Sequence, residues 1–368
     1  MGKVVREFLV KTIQWFGVIH VAESCYLTTP SIVKLRNVME KNDFIDKCES
    51  LMAQASEHID SENFRAALKI GEELEKLKFT GAFETQALAY AAMGKKKKAI
   101  KILEKGIKIA PDIWLLWQLL GNYYSDEGRF DKSMYCYEKA LISKDPDKVS
   151  LLYNYANMLK RNGRYDLAET KLAEIFQSSE FYGVDKELAM LCFSLQMGLF
   201  NKFERYREAE DAFNDCLKHP SFNTDYSSGF SRVLAEYANT LLKTQRLKEA
   251  EEMSVKAIQN DRRNTDAQNI LREIRSQNDF SNAIYMRIMV HGKWFESENE
   301  QKELNGFFST YDVVADDEEE ALSFIKEIEP KEIRSALKIE EVKILRSPKQ
   351  PKGIYKTSGY CLYSDEEK

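Results

Sequence analysis

The sequence lacks the patterns that mark an enzyme or a disulfide-bonded domain. Its six cysteines are scattered, and none forms a Cys-x-x-Cys pair. None of the four histidines lies in a His-Glu-x-x-His arrangement, and Gly-x-Ser-x-Gly, Walker and Gly-x-Gly-x-x-Gly elements are all missing. We therefore expect a non-enzymatic protein without a cofactor or metal, whose buried thiols stay reduced in the cytoplasm.

An excess of positive charge is also missing. The chain carries 54 Lys and Arg residues against 59 Asp and Glu residues, for a net charge of −5. Binding to phosphate backbones needs a concentrated basic surface. Nucleic acid is therefore not an expected partner. The run Lys95-Lys96-Lys97-Lys98 is predicted at the turn of a helical hairpin, where solvated charges are normal.

No hydrophobic run is long enough to span a bilayer without interruption. The most apolar stretch, residues 8–22, is broken by Lys11, Gln14 and His20. A membrane partner is therefore not expected, and residues 1–42 are predicted to be a capping helix or an extension. A targeting segment is the remaining alternative, and Met39 would itself be a natural start for a soluble helical protein.

What the sequence has instead is a regular pattern of large and small residues in the stretch 114–146. The large residues lie three or four positions apart and so share one face of a helix, with a small residue that lets a second helix approach. A glycine ends the first helix and a proline stops the second. The residues that set the pattern are Trp117, Leu120, Gly121, Tyr124, Gly128, Phe130, Tyr137, Ala140 and Pro146.

These positions resemble a tetratricopeptide repeat, a helical hairpin that needs stacked copies to bury its apolar faces. Similar segments recur at intervals of 32 to 41 residues, each marked by a small residue at the start of the second helix. The markers are Ala67, Ala99, Ser133, Ala168, Ala209 and Ala250. The resemblance implies an all-α solenoid of about six helical hairpins over residues 43–278, with a closing helix from Thr265.

The pattern changes after residue 278, where apolar and polar residues alternate over 284–290, as in a strand. A second strand is predicted over 306–315, then a helix with Asp316 as N-cap and Glu319 as its capping-box partner. A strand over 339–345 and a hairpin over 354–363 follow. Residues 282–368 are therefore predicted to form a small α+β domain, which resembles no named family.

The resemblance implies that the first helix of each hairpin lines a concave groove. In the family's geometry, Glu84 and Leu88 are the groove positions of an early repeat. The groove positions of the later repeats are polar to basic, which suits an acidic peptide or a carboxylate. Chaperone-binding members of the family use basic residues where this chain has Gln118 and Leu191, so chaperone binding is not expected. The candidate partner-binding residues are Gln118, Asn122, Tyr153, Asn154, Asn157, Lys160, Arg161, Lys202, Asn239 and Lys243.

The expected function is that of a non-enzymatic scaffold that binds a partner peptide or protein in this groove. The alternative is an inhibitor resembling an immunity protein or an antitoxin, which would act through the C-terminal α+β domain. That alternative rests on charge, because residues 281–368 carry 13 Lys and Arg residues against 18 Asp and Glu residues. Such an acidic surface could cover a basic active site by charge complementarity.

Overall fold

The computed structural model describes residues 38–220, 222, 227–276, 283–293, 306–346 and 350–363, with side chains from Phe44 onward. The chain divides into two compact units, residues 1–178 and 179–368, and each is described by itself. Most of the segment 1–42, including the apolar stretch 8–22, lies outside the described residues.

Thirteen α-helices precede the sheet in the described part of the chain, and they form six helical hairpins and one closing helix. In unit 1 the helices are α1 Val38–Asp60, α2 Phe64–Lys76, α3 Gly81–Ala92, α4 Lys96–Ile109, α5 Trp114–Asp126, α6 Phe130–Leu141, α7 Lys148–Arg161 and α8 Tyr165–Gln177. In unit 2 they are α9 Lys186–Lys202, α10 Tyr206–Lys218, α11 Ser228–Lys243, α12 Leu247–Asn260 and α13 Thr265–Arg275. The predicted hairpins and the closing helix are confirmed.

The small residues that marked the repeats explain how the two helices of each hairpin meet. All six have no exposed surface, and the serine among them donates a hydrogen bond of 2.7 Å from Ser133 Oγ to the Gly121 carbonyl oxygen. A Cβ atom on Gly121 would lie only 3.1 Å from the ring of Tyr137. A larger residue at either position would therefore push the helices apart.

Each hairpin turns through one residue with a left-handed backbone. Glycine supplies it in three turns, at Gly94, Gly128 and Gly163, where φ is 72–73°. In the other three turns the residues are Glu62, Glu204 and Gln245, with φ of 59–63°. The predicted role of Gly128 is confirmed, and its φ of 73° is the conformation that glycine adopts at least cost.

Large side chains join neighbouring hairpins within unit 1. Phe83, Leu116 and Tyr123 belong to one buried cluster that runs from α3 to α6. Further along, the ring of Tyr137 stacks on that of Tyr155, with ring centroids 4.8 Å apart. Such contacts bury the apolar faces that a single hairpin would leave in water.

The C-terminal region of unit 2 is an antiparallel sheet with a helix across one face. Its elements are β1 Ile284–Gly292, β2 Gly306–Ala315, α14 Glu318–Ile328, β3 Lys338–Ile344, β4 Gly353–Thr357 and β5 Cys361–Tyr363. The strand order is β3-β1-β2-β4, and Ile288 lies opposite Tyr311 on β2 and Val342 on β3. Helix α14 packs on β2 and β4 through its buried residues Ala321, Ile325 and Ile328.

The predicted C-terminal hairpin is wrong. Strands β4 and β5 do not pair with each other, because both pair with β2. Strand β4 lies along Tyr311–Val314 and β5 along Gly306–Phe308. The ten residues of β2 are long enough for both, so the segment around Ser358 and Gly359 interrupts one edge strand and does not reverse the chain.

The predicted start of α14 is wrong by one residue. Its N-cap is Asp317, whose side chain accepts a hydrogen bond of 2.8 Å from the Glu320 backbone N–H. The Glu320 carboxylate in turn accepts a hydrogen bond from the Asp316 backbone N–H at 2.7 Å. Either aspartate could cap the helix, and the reciprocal bonds select Asp317.

Charged side chains join the last helices of unit 2 to its sheet. Arg262, which follows α12, lies 2.9 Å from the fully buried carboxylate of Glu329. That carboxylate also accepts hydrogen bonds from Tyr311, at 2.7 Å, and from Tyr360. The Arg262 guanidinium lies 4.0 Å from the centroid of the Tyr360 ring. A buried charge held this way is paired and hydrogen-bonded, as low-dielectric surroundings require.

The described cysteines are free, and most of them are buried. Burial raises the pKa of the Cys136 and Cys216 thiols to about 12, so both are poor nucleophiles. The exception to the prediction of buried thiols is Cys361 on β5, which is exposed because it lies at the edge of the sheet.

Candidate partner-binding surface

The first helices of successive hairpins in unit 1, α3, α5 and α7, are neighbours along the stack. The side of these helices that carries the predicted groove positions is called here the first-helix face. Its members are Glu84 on α3, Gln118 and Asn122 on α5, and Tyr153, Asn154, Asn157, Lys160 and Arg161 on α7.

Three polar residues on α7 are half-buried and available to a ligand. Asn154, Asn157 and Lys160 make no hydrogen bond or ion pair within the described part of the chain. Asn122 on α5 is half-buried too, but its Oδ1 accepts a hydrogen bond from the buried Tyr137 hydroxyl, which leaves its amide N–H groups free to donate. These side chains can donate to and accept from a peptide backbone, and Lys160 can meet an acidic group.

Arg161 is less available than its sequence position indicates. Its guanidinium lies 3.4 Å from the carboxylate of Asp126 at the end of α5, while its side chain is 61% exposed. The same carboxylate lies 2.7 Å from the Lys96 ammonium. Asp126 therefore offsets part of the positive charge predicted for this end of the face, although both ion pairs are solvated and weak.

Gln118 and Tyr123 on α5 are buried polar residues with unsatisfied atoms. Gln118 is only 5% exposed, and its Oε1 has no donor among the described residues. The Tyr123 hydroxyl is also buried without a partner in that part of the chain, and burial, followed by the nearby Asp126 and Glu84 charges, raises its pKa. Native proteins leave few such atoms unpaired, so each calls for an explanation.

Glu84 brings a carboxyl group to the same part of the face. Burial raises its pKa to about 7, although part of the side chain stays accessible to solvent. At neutral pH the group is therefore divided between its neutral and charged forms. Sequence position already places Glu84 in the groove, after Phe83 as Gln118 follows Trp117, but its carboxyl group departs from the polar-to-basic character expected there.

The remaining predicted residues lie in unit 2, on α9 and α11. Lys202 is exposed at the end of α9, and Asn239 is half-buried on α11. Lys243 lies 3.6 Å from Glu273, with both side chains about half exposed. The prediction did not include Asn201, which donates from Nδ2 to the Glu236 carbonyl oxygen at 2.9 Å and so joins α9 to α11.

Residues 81–113, 116–141 and 136–170 match family models of the tetratricopeptide repeat. These matches cover the part of unit 1 from α3 into α8, so this stretch consists of tetratricopeptide repeats. The chain as a whole is a series of helical hairpins in that arrangement, followed by a small antiparallel sheet. Such repeats are in general non-catalytic modules that serve as protein-interaction scaffolds.

Solved structures with a similar arrangement include PilF of Pseudomonas aeruginosa, at 19% identity, with 54% of this chain and 83% of that chain covered and a TM-score of 0.43. The apo form of the quorum sensor NprR from B. thuringiensis shares 14% identity over 74% of this chain and 76% of that chain, with a TM-score of 0.46. The Cut9–Hcn1 hetero-tetramer of APC/C shares 13% identity over 64% of this chain and 45% of that chain, with a TM-score of 0.47. No curated protein matches the chain.

Membrane-spanning and metal-binding features are both missing from the described residues. No helix there has the length and hydrophobicity of a bilayer-spanning segment. No group of three or more His, Cys, Asp or Glu side chains there is arranged to hold a metal ion. The acidic run at the start of α14 is instead occupied by Lys352, whose Nζ lies 2.5 Å from Asp316 and 3.0 Å from Glu320.

Proposed function

We propose that this chain is a non-enzymatic scaffold that binds a peptide segment of a partner protein along the first-helix face. The observation that carries the proposal is a set of half-buried groups on α7, namely Asn154, Asn157 and Lys160, that have no partner among the described residues and lie within repeats of an interaction-module type. Polar groups that make no internal bonds keep their full capacity to bond a ligand.

An acidic residue of the partner is the group that suits this part of the face. The Lys160 ammonium supplies the charge, and the amides of Asn154 and Asn157 supply N–H donors for carboxylate oxygens. Lys202, Asn239 and Lys243 carry the same kinds of group in unit 2, although Lys243 already pairs with Glu273 there. The free cysteines of the described chain are consistent with work in the cytoplasm, where thiols stay reduced.

The test is a capture experiment from native lysate with the intact chain and with an Asn157→Asp, Lys160→Glu variant. Asn157→Asp removes the amide N–H donors, and Lys160→Glu reverses the positive charge. Neither substitution changes a buried packing residue. The matched control is Lys108→Glu, which reverses an exposed lysine on the second helix of a hairpin. Circular dichroism checks that all three proteins are equally helical.

We expect proteins that bind the intact chain and the control but are lost from the double variant. Identical sets of bound proteins from all three would contradict binding along the first-helix face. In that case deletion of residues 281–368 decides whether the alternative, an inhibitor acting through the acidic C-terminal domain, accounts for the binding.

A further inference from the structure

The α3–α5 part of the first-helix face differs chemically from the α7 part. On α7 the groups without a partner among the described residues are two amides and an ammonium. On α3 and α5 they include the carboxyl group of Glu84, the amide oxygen of Gln118 and the phenol of Tyr123, beside the amide N–H groups of Asn122. None of these three has a hydrogen-bond partner among the described residues. Helices α3 and α5 are packed neighbours, and Tyr123 belongs to the cluster that contains Phe83, the residue before Glu84.

The ligand chemistry follows from the atoms that are unsatisfied. Gln118 Oε1 can only accept a hydrogen bond, and the Glu84 carboxylate has acceptor sites on both oxygens. Gln118 Oε1 is almost inaccessible to solvent, so a water molecule is a poor substitute for the missing hydrogen-bond partner. A group that fits must therefore donate several hydrogen bonds, and a positive charge would stabilise the ionised form of Glu84.

We infer that the α3–α5 part of the first-helix face binds a Lys or Arg side chain of the partner peptide, held by Glu84 and Gln118. This inference rests on the proposed function, because it assigns a second subsite to the same surface. The partner then carries a basic residue at one end of the bound segment and an acidic residue at the end that meets Lys160. The preference for an acidic ligand predicted from sequence applies to the α7 end alone.

The spacing of the helices limits the distance between the two ligand residues. Packed helix axes lie about 8–10 Å apart, so two steps from α3 to α7 span about 16–20 Å. An extended peptide advances about 3.3 Å per residue. The basic and acidic residues should therefore be roughly five or six positions apart.

The experiment measures binding of the intact labelled chain to arrays of synthetic decapeptides. One set has a single fixed residue, Lys, Arg, Leu, Gln or Glu, among random positions. A second set fixes one Lys and one Glu at separations of two to nine residues, in both orders. The chain is tested beside Glu84→Gln, Gln118→Leu and Lys160→Gln variants, all checked for equal helicity by circular dichroism.

We expect Lys and Arg peptides to bind at least about tenfold better than the Leu set, with a maximum in the paired set at five or six residues. Glu84→Gln and Gln118→Leu should lose the preference for Lys and Arg and keep the preference for Glu. Lys160→Gln should do the reverse. Those two opposite losses are the readout that general damage to the fold would not produce.

The outcomes separate the inference from the proposed function. Peptide binding without a preference for Lys or Arg overturns the inference and leaves the scaffold intact. The same holds if the preference survives in both the Glu84→Gln and Gln118→Leu variants. Failure of every peptide set to bind overturns both.

Discussion

Two regions of the described chain treat their buried polar groups in opposite ways. Where the last helices of unit 2 meet the sheet, the buried Glu329 carboxylate receives one guanidinium and two phenols, and Arg262 Nε is left without a partner among the described residues. On helices α3 and α5 of unit 1, Glu84, Gln118 and Tyr123 have no such partners among the described residues.

This difference separates a structural role from a binding role. A satisfied buried network holds two parts of a fold in one arrangement, and its groups have little capacity left for a ligand. Unsatisfied buried groups cost stability in the free protein, and a ligand that pairs them recovers the loss. The first region should therefore respond to mutation through stability, and the second mainly through binding.

The largest expected effect is in the satisfied network. Arg262→Met leaves the Glu329 carboxylate buried without its charge partner, which should lower the free energy of unfolding by about 3–5 kcal/mol in urea titrations. The double variant Arg262→Met, Glu329→Gln should recover most of that loss. Arg263→Met, at an exposed neighbour, is the control. A loss below about 1 kcal/mol for Arg262→Met would mean that water already solvates the network.

Glu84 predicts a pH dependence in the unsatisfied region. Its pKa is about 7 in the folded chain and about 4.3 when unfolded, so between these values the folded state binds more protons. The free energy of unfolding should therefore fall as pH rises through this window and level off above it. Glu84→Gln should remove that slope and be more stable at pH 8 by roughly 1–3 kcal/mol.

Urea titrations of both proteins from pH 5 to 8 measure the difference. Glu138→Gln, at an exposed glutamate on α6, should keep the slope of the unmutated chain. Parallel curves of stability against pH for the chain and the Glu84→Gln variant would show that the Glu84 carboxyl group is solvated and has an ordinary pKa.

Two glutamines of similar burial make the comparison sharper. Gln86 is 6% exposed, and its Nε2 donates to the Gly71 carbonyl oxygen at 3.1 Å and to Glu75 at 2.9 Å. Gln86→Leu should lower stability by about 1–2 kcal/mol, since it removes both hydrogen bonds made by this buried side chain. Gln118→Leu should be neutral or raise stability by about 1 kcal/mol, because it removes an unsatisfied atom. Thermal unfolding measures both, and equal losses would contradict the assignment of Gln118 to a ligand.

The smallest effect is expected where charges pair in solvent. Lys105 pairs with Glu75, and the two side chains are 51% and 37% exposed. The hydrogen bond from Lys105 is the first cause of a lowered Glu75 pKa. Lys105→Gln should nevertheless change stability by less than about 0.5 kcal/mol, and by less still in high salt. A larger loss would show that charge pairing stabilises this fold regardless of burial.

The helical hairpins could be predicted because their signal is local and repeated. The six small marker residues recur at nearly constant intervals, and each is fully buried where two helices touch. The sheet was predicted less completely. Alternation identified β1 and β2, but the partner of β5 depends on the length of β2, which only the folded register reveals.

The candidate surface was harder to predict than the fold. Position within a repeat identifies which side chains lie on the first helices, yet it does not identify their partners. Arg161 meets Asp126 from the preceding hairpin, 35 residues away in sequence. The burial that raises the Glu84 pKa, and the lack of a donor for Gln118 Oε1, arise from packing among several helices. The spacing of residues in the sequence reveals neither the burial of Glu84 nor the missing donor for Gln118.

The network around Glu329 also bears on the order in which the chain folds. Its members, Arg262, Tyr311, Glu329 and Tyr360, come from four separate stretches spread over about a hundred residues. The hairpins need only neighbours within about 35 residues, so loop-closure entropy favours their early formation. During synthesis the helices can therefore be complete before Tyr360 leaves the ribosome, and the junction with the sheet closes last.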